Sequence, residues 1–319
     1  MSAPPAAFRS HADSISCLAD PSPIRNAGQH LRRAPLELDY YEALEYGEQL
    51  RAPRPPRKKA AHILADDEAG ETPRGPLAQF FDDELIVGEP AVVKSGKEAT
   101  VYCCEAHPRL GRTLLAAKYY RPRIQRNFKN DGVYQQGRTT MDARADRAIA
   151  NRTAKGAEMQ FGMWIGCEYE TLRRLHAAGA DVPEPIAQAG SVILMEYFGE
   201  RGRVAPQLQN VRLLPHEVGP IFSQILDNLV ILLDQDRVHG DLSPYNVLYW
   251  DDRIQIIDFP QAVDPMDNPD AYALFARDME RIYAYFEPYG VRCDVRGLAR
   301  KMWIDCGRPA PTTRQERSL

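Results

Sequence analysis

Residues 238–261 constrain this chain more than any other stretch, because they hold two carboxylates and one carboxamide at fixed separations: Asp241, Asn246 five residues on, and Asp258. Between Asn246 and Asp258 lie two short β-prone runs, Leu248-Tyr249-Trp250 and Ile254-Gln255-Ile256-Ile257, separated by the polar Asp251-Asp252-Arg253. That pattern predicts a β-hairpin, which would carry Asp258 back toward Asn246. One carboxylate and one carboxamide oxygen suit a hard cation that keeps water and also takes phosphate oxygens, Mg²⁺ or Mn²⁺ in preference to zinc. Any one of the three could be a loop cap or a turn residue. Together they have the spacing of phosphoryl transfer, with Asp241 receiving the acceptor hydroxyl and Asn246 and Asp258 on the metal.

If so, a nucleotide-covering half should lie upstream. Val92 to Tyr102 has two apolar runs around Lys94-Ser95-Gly96-Lys97-Glu98-Ala99, which suits a hairpin whose backbone N–H groups could cover phosphates. Against the pattern G-x-G-x-x-G-x-V, Lys94 and Ala99 replace the first and third glycines, Gly96 is kept and Val101 fits. A Walker loop is excluded, since Gly96-Lys97 is followed by Glu98 and no glycine lies five residues before Gly96.

Thr113 to Tyr120 reads as a strand with Lys118 inside an apolar and aromatic run, where the lysine needs an anionic partner. The nearest helix pattern is Ile165 to Ala178, ending at Gly179 with Pro183 beyond. Glu168 shares the Leu172 and Leu175 stripe and is the expected partner, whereas Glu170 falls on the solvent side. Ser191 to Gly199 reads as a buried strand running into a turn; the Glu196 to Phe198 backbone would meet adenine, with Met195 at the back of that pocket.

Four segments give the chain a close resemblance to the RIO atypical protein kinases: Ser95 to Tyr102, Met195 to Gly199 followed by Ala205-Pro206-Gln207-Leu208, Val238 to Asn246, and Ile257 to Val263. The resemblance covers roughly residues 84 to 292. Lys118 to Arg121 through Asn130-Asp131 to Trp164 looks like the Rio1 type, while Asp258-Phe259-Pro260-Gln261 looks like Rio2. Asn268 to Val291 looks like the family's C-terminal helix.

That resemblance implies an α+β, bilobal, protein-kinase-like fold with a β-rich N-lobe, a mostly helical C-lobe and no extended activation segment. It implies ATP bound with Lys118 on the phosphates, Glu168 orienting Lys118, and Ser95, Gly96, Lys97, Glu98, Ala99 and Val101 around the nucleotide. Met195, Glu196 and Phe198 would line the adenine side, and Asp241, Lys118 and Asp258 would be catalytic. The implied reaction is phosphoryl transfer to Ser or Thr of a protein or of the chain itself, or an ATPase switch through an aspartyl phosphate at Asp258. A ribosomal particle or rRNA enters as a partner by family analogy alone. Two alternatives use the same residues: an aminoglycoside-phosphotransferase-like enzyme, which shares H-G-D-x-x-x-x-N, and an ATP-driven assembly factor that transfers nothing.

Composition sets the outer bounds. The 319 residues are 44% hydrophobic, enough for a sizeable core, and carry a net charge of −4, so no overall field recruits nucleic acid and no DNA partner is expected. Basic runs at Arg51 to Lys59 and at Arg121, Arg123, Arg126 and Lys129 read as a solvated linker and face. Ten of the 25 prolines fall within residues 1–78, which read as largely disordered apart from a short helix over 36–50. The N-lobe through the hinge is expected over 79–199, the C-lobe over 200–306, and a flexible tail over 307–319. Six cysteines without a C-x-x-C pair and seven histidines without H-E-x-x-H exclude a structural zinc site and a disulfide framework. No run approaches the ~20 apolar residues of a membrane span, so a soluble cytoplasmic protein is expected. His239 is expected to brace the Asp241 loop through its ring.

Overall fold

The computed structural model describes residues 74–121, 154–312 and 315. The expected disorder over 1–73, the helix over 36–50, the basic residues 51–59 and 123–129, the pair 130–131 and Cys17 lie outside the described residues.

Five antiparallel strands build the N-lobe: β1 Ile86–Ser95, β2 Ala99–Ala106, β3 Leu114–Tyr120, β4 Pro185–Ala189 and β5 Val192–Glu196, in the order β1-β2-β3-β5-β4. Strand alternation sorts their side chains onto two faces. Leu115, Ala117, Val192 and Leu194 point to one side, where helix α1 (Arg74–Asp82) covers them with Leu77 and Phe80. Ala116, Tyr120, Ile193 and Met195 point to the other and join Ile165, Leu172 and Leu175 of helix α2 (Ala154–Ala177). The helix expected from Ile165 thus begins eleven residues earlier, and the N-lobe begins at Arg74, inside the segment assigned to disorder. Leu77 is fully buried, which supplies the apolar anchor that the proline-rich composition masks.

Beyond the hinge, the ribbon β6 (Gly199–Glu200) and β7 (Arg203–Val204) leads to α3 (Pro215–Asp234), whose Ile225, Leu229, Leu232 and Leu233 are buried at helical spacing. The hairpin expected after Asn246 forms as β8 (Val247–Trp250) and β9 (Arg253–Ile256). Its turn is two residues, not three: Asp251 and Asp252 both take left-handed backbone (φ 51° and 58°), the conformation that matches a tight hairpin's twist, and Arg253 pairs with Trp250. Helices α4 (Ala271–Phe286) and α5 (Val295–Asp305) complete the C-lobe, with Trp303 against Tyr272 and Phe275. Only residues 259–270 separate Asp258 from α4, so the expected lack of an extended activation segment holds.

The assignment of 307–319 to a flexible tail fails for its first part. Arg308 is buried, donating to the Leu233 carbonyl at 2.6 Å and to Asp236 Oδ1 at 2.7 Å, while Trp303 Nε1 donates to the Pro309 carbonyl at 3.0 Å. Gly307-Arg308-Pro309 looks like linker in sequence because its anchors come from α3 and α5.

Candidate active site

Lys118 lies between two carboxylates from different parts of the chain. Its Nζ is 2.8 Å from Glu168 Oε1 on α2 and 2.8 Å from Asp258 Oδ1 after β9. The Glu168 side chain is 1% exposed, Lys118 13% and Asp258 45%, so the pairing runs from the interior to an open cleft. Burial works against the lysine's charge, but the carboxylates of Asp258 and Glu168 outweigh it and hold Lys118 above the usual lysine pKa. Lys118 in turn holds Asp258 below the ordinary carboxylate range. Burial pushes Glu168 up, with Lys118 pulling it back, and its second oxygen is buried without a hydrogen-bond partner. Glu170 is exposed and pairs with Arg173, as its place on the helix requires.

Asp258 has φ 73°, left-handed backbone that an Asp tolerates at modest cost. Its neighbours hold it there. Ile257 N–H donates to the Asn246 carbonyl at 2.9 Å, Phe259 is buried against the His239 ring at 4.7 Å between centroids, and Val263 exchanges two backbone hydrogen bonds with Val238. His239 links the two halves: Nε2 meets the Ile257 carbonyl at 3.1 Å, and Nδ1 accepts from the Asp241 N–H at 3.3 Å. The pair of bonds requires the Nε2–H tautomer, and burial lowers the ring's pKa, so His239 is a neutral brace.

Asn246 ends the 3-10 turn Pro244–Asn246, and its Nδ2 donates to the Asp241 carbonyl at 2.9 Å. That bond fixes the amide and leaves Oδ1 as its acceptor atom on the hairpin that also carries Asp258. Among the described residues no group of three or more His, Cys, Asp and Glu side chains could hold a metal. A carboxylate and a carboxamide oxygen, open on one side, fit Mg²⁺ or Mn²⁺ completed by water and phosphate and do not fit a closed zinc site.

The hairpin expected to cover phosphates forms, closed by Gly96 N–H on the Ala99 carbonyl at 2.9 Å. Ser95 turns its hydroxyl away from Lys118. It pairs with Thr100, and its Oγ accepts from Arg121 Nη2 at 2.7 Å on the face opposite Lys118. Alternation decides this: Lys94 pairs with Val101 and Val101 with Lys118, so Lys94, Val101 and Lys118 form one row across the cleft face. Lys94 is close enough to add to the pull that lowers Asp258. Ala99 and Val101 pack on the interlobe core, while Lys97 and Glu98 are exposed at the tip.

At the hinge, Met195 is buried in the same core as Ala116, the expected back wall. Glu196 is more committed than its sequence suggests. Its N–H donates to the Glu184 carbonyl at 2.8 Å, and its carboxylate accepts from Gln255 Nε2 at 2.8 Å, which ties the lobes together. The Phe198 carbonyl accepts from the Ala205 N–H at 3.0 Å.

Three residues at this site escaped the sequence reading. Lys94 was visible as a departure from glycine, but its direction depends on register. Asp278 is a carboxylate among Leu274, Phe275, Met279 and Ile282 on the apolar stripe of α4, a signal that periodicity offers; its Oδ2 accepts from the Gly240 N–H at 2.8 Å. Arg281, whose Nη1 meets Asp241 Oδ1 at 2.8 Å, gave no signal at all.

Sheet, hinge, hairpin and cleft define a protein-kinase-like fold. The family model described as RIO domain matches residues 100–298, and the chain belongs to the RIO family. It is 29% identical over 216 residues to serine/threonine-protein kinase RIO1 of Caenorhabditis elegans, covering 67% of this chain and 40% of that protein. It is 32% identical over 209 residues to RIO-type serine/threonine-protein kinase Rio1 of Methanocaldococcus jannaschii, covering 65% of this chain and 66% of that one. The chain therefore spans less than half the length of the nematode relative. Among solved structures, the Rio2 kinase-ADP/Mg²⁺-phosphoaspartate complex from Chaetomium thermophilum shares the fold, with a TM-score of 0.51 at 20% identity over 76% of this chain and 72% of that chain.

Proposed function

We propose that this protein is an ATP-dependent RIO-type kinase that transfers the γ-phosphoryl group to a Ser or Thr hydroxyl of a protein, itself included. The observation that carries the reading is Lys118 at 2.8 Å from both Glu168 and Asp258, with the residue before Asp258 bonded to the Asn246 carbonyl at 2.9 Å. Glu168 holds Lys118 extended toward the phosphates, and Lys94 on the same row adds charge at their outer end. Asn246 and Asp258 would hold Mg²⁺ or Mn²⁺, which when bound neutralises phosphate charge. Asp241 orients the acceptor hydroxyl and takes its proton as the new O–P bond forms and the bond from Pγ to the bridging oxygen breaks, releasing ADP. The described cysteines are all unpaired, in keeping with a reducing cytoplasm.

A second reading, an ATPase switch, draws on Asp258 itself: it is half-exposed, ionised and held in left-handed backbone at the cleft. The Rio2 structure from C. thermophilum is described as a phosphoaspartate complex, and by position the phosphorylated residue here would be Asp258. A ribosomal particle or rRNA as partner is the family-based extension of this reading.

Radiolabelled ATP tests it, offered to the protein alone, with a generic basic protein and with an aminoglycoside. Acid-stable label on protein supports Ser/Thr transfer, and hydroxylamine-labile label supports the aspartyl phosphate. Label on the sugar would overturn the reading in favour of a small-molecule kinase, and release of phosphate with no labelled product would favour a non-transferring ATPase.

A further inference from the structure

Helix α4 turns three polar side chains toward the catalytic loop at positions i, i+1 and i+4. Arg277 donates to the Gly240 carbonyl and Asp278 accepts from the Gly240 N–H at 2.8 Å, so both hold main chain. Arg281 reaches one residue further and grips the reacting carboxylate itself, Nη1 to Asp241 Oδ1 at 2.8 Å. The Arg281 and Asp241 side chains are 41% and 53% exposed, so the pair faces the open side of the cleft.

The local charge balance gives this contact a use. Residues 241–246 contain no Lys or Arg, and Lys118 is committed between Glu168 and Asp258 on the far side. A phosphoryl group passing to a hydroxyl beside Asp241 would meet negative charge from the nucleotide and from both aspartates. A guanidinium has five donors in a fixed fork, so one can hold Asp241 while others face the moving group. An ion pair this exposed adds little to stability, so the fold does not require it.

We propose that Arg281 is a positioning residue for the transfer step, holding the Asp241 carboxylate in line and balancing charge beside the transferring phosphoryl group. This rests on the kinase reading above. The test uses the full chain as Arg281→Ala and Arg281→Lys. Expected for Ala is a fall in kcat for ATP turnover on the order of 10²-fold, with KM for ATP, calorimetric Mg-ADP affinity and the thermal midpoint unchanged. Lys should recover part of kcat. Wild type should bind Mg-ADP more tightly when aluminium fluoride mimics the phosphoryl group in transit, and Ala should lose that gain. An unchanged kcat with the fluoride gain intact overturns the proposal, as does a kcat loss matched by weaker Mg-ADP binding and a lower midpoint. If wild type binds Mg-ADP but gains nothing from fluoride, the Arg281 role falls while the nucleotide site stands. Should wild type bind no Mg-ADP, the kinase reading falls and takes this one with it.

Discussion

Gly240 donates its backbone N–H to Asp278 Oδ2 at 2.8 Å, which fastens the residue before Asp241 to the middle of a buried helix. Gly240 sits at φ 76°, where a side chain would be strained, so the loop can turn there and meet α4. Asp278 is 1% exposed, and burial pushes its carboxyl up to about 8.

That shift predicts a pH dependence. An unfolded Asp releases its proton near ~4, whereas folded Asp278 keeps it until about 8, so between those values the folded state binds more protons and stability falls as pH rises. Asp278→Asn keeps an oxygen acceptor for Gly240 but cannot titrate. Denaturant unfolding at several pH values should show the wild type losing ground to the variant from about pH 5 to about pH 8. A constant difference across that range would show that Asp278 does not hold its proton.

Lys118→Met should destabilise the fold as well as the chemistry. It leaves Glu168 buried with no cation beside it, a change that typically costs ~3 kcal/mol or more. Urea unfolding of the variant should show a clear fall in midpoint, with Glu168→Gln losing less because the amide can still bond the lysine. Equal midpoints for wild type and Lys118→Met would mean that Glu168 is ionised in neither.

Asp258 and Asp241 should separate by phenotype. Asp258→Asn keeps Lys118 paired with Glu168, so circular dichroism should be native while metal-dependent ATP turnover is lost. Asp241→Ala should bind nucleotide almost normally and lose on the order of 10²-fold in transfer. Undiminished turnover in Asp258→Asn would remove that residue from the metal site.

Arg308→Ala tests whether residues after Cys306 belong to the fold. The change removes the Arg308 bonds to the Leu233 carbonyl and to Asp236, which keep the Asp236 N–H and Arg174 respectively as partners, so the cost should be about 1 kcal/mol in unfolding free energy. An unaltered urea midpoint would show that the segment merely lies on the surface.

Much of the site was legible because its signals are local. The Asp241 to Asn246 spacing, the hairpin before Asp258 and the lone lysine in an apolar strand are each short patterns, and α2's period placed Glu168 inward and Glu170 outward. The direction of the Ser95 hydroxyl was not legible, because strand register, not loop composition, decides that Lys94 faces Lys118. The start at Arg74 and the anchored Arg308 were hidden because their partners, such as Leu115 and Leu233, lie far away in sequence.

The sequence by itself determined which groups are available: a lysine, three acids and an amide, carried on elements whose periods and turns are encoded within a few residues. Only the tertiary structure decided their company. The contacts from Lys118 to Glu168 and Asp258, from Asp278 to Gly240 and from Arg281 to Asp241 join residues 50, 140, 38 and 40 positions apart. Such contacts exist because burying the two faces of the sheet against α1 and α2, and α4 beneath the catalytic loop, leaves those polar groups no other place to meet.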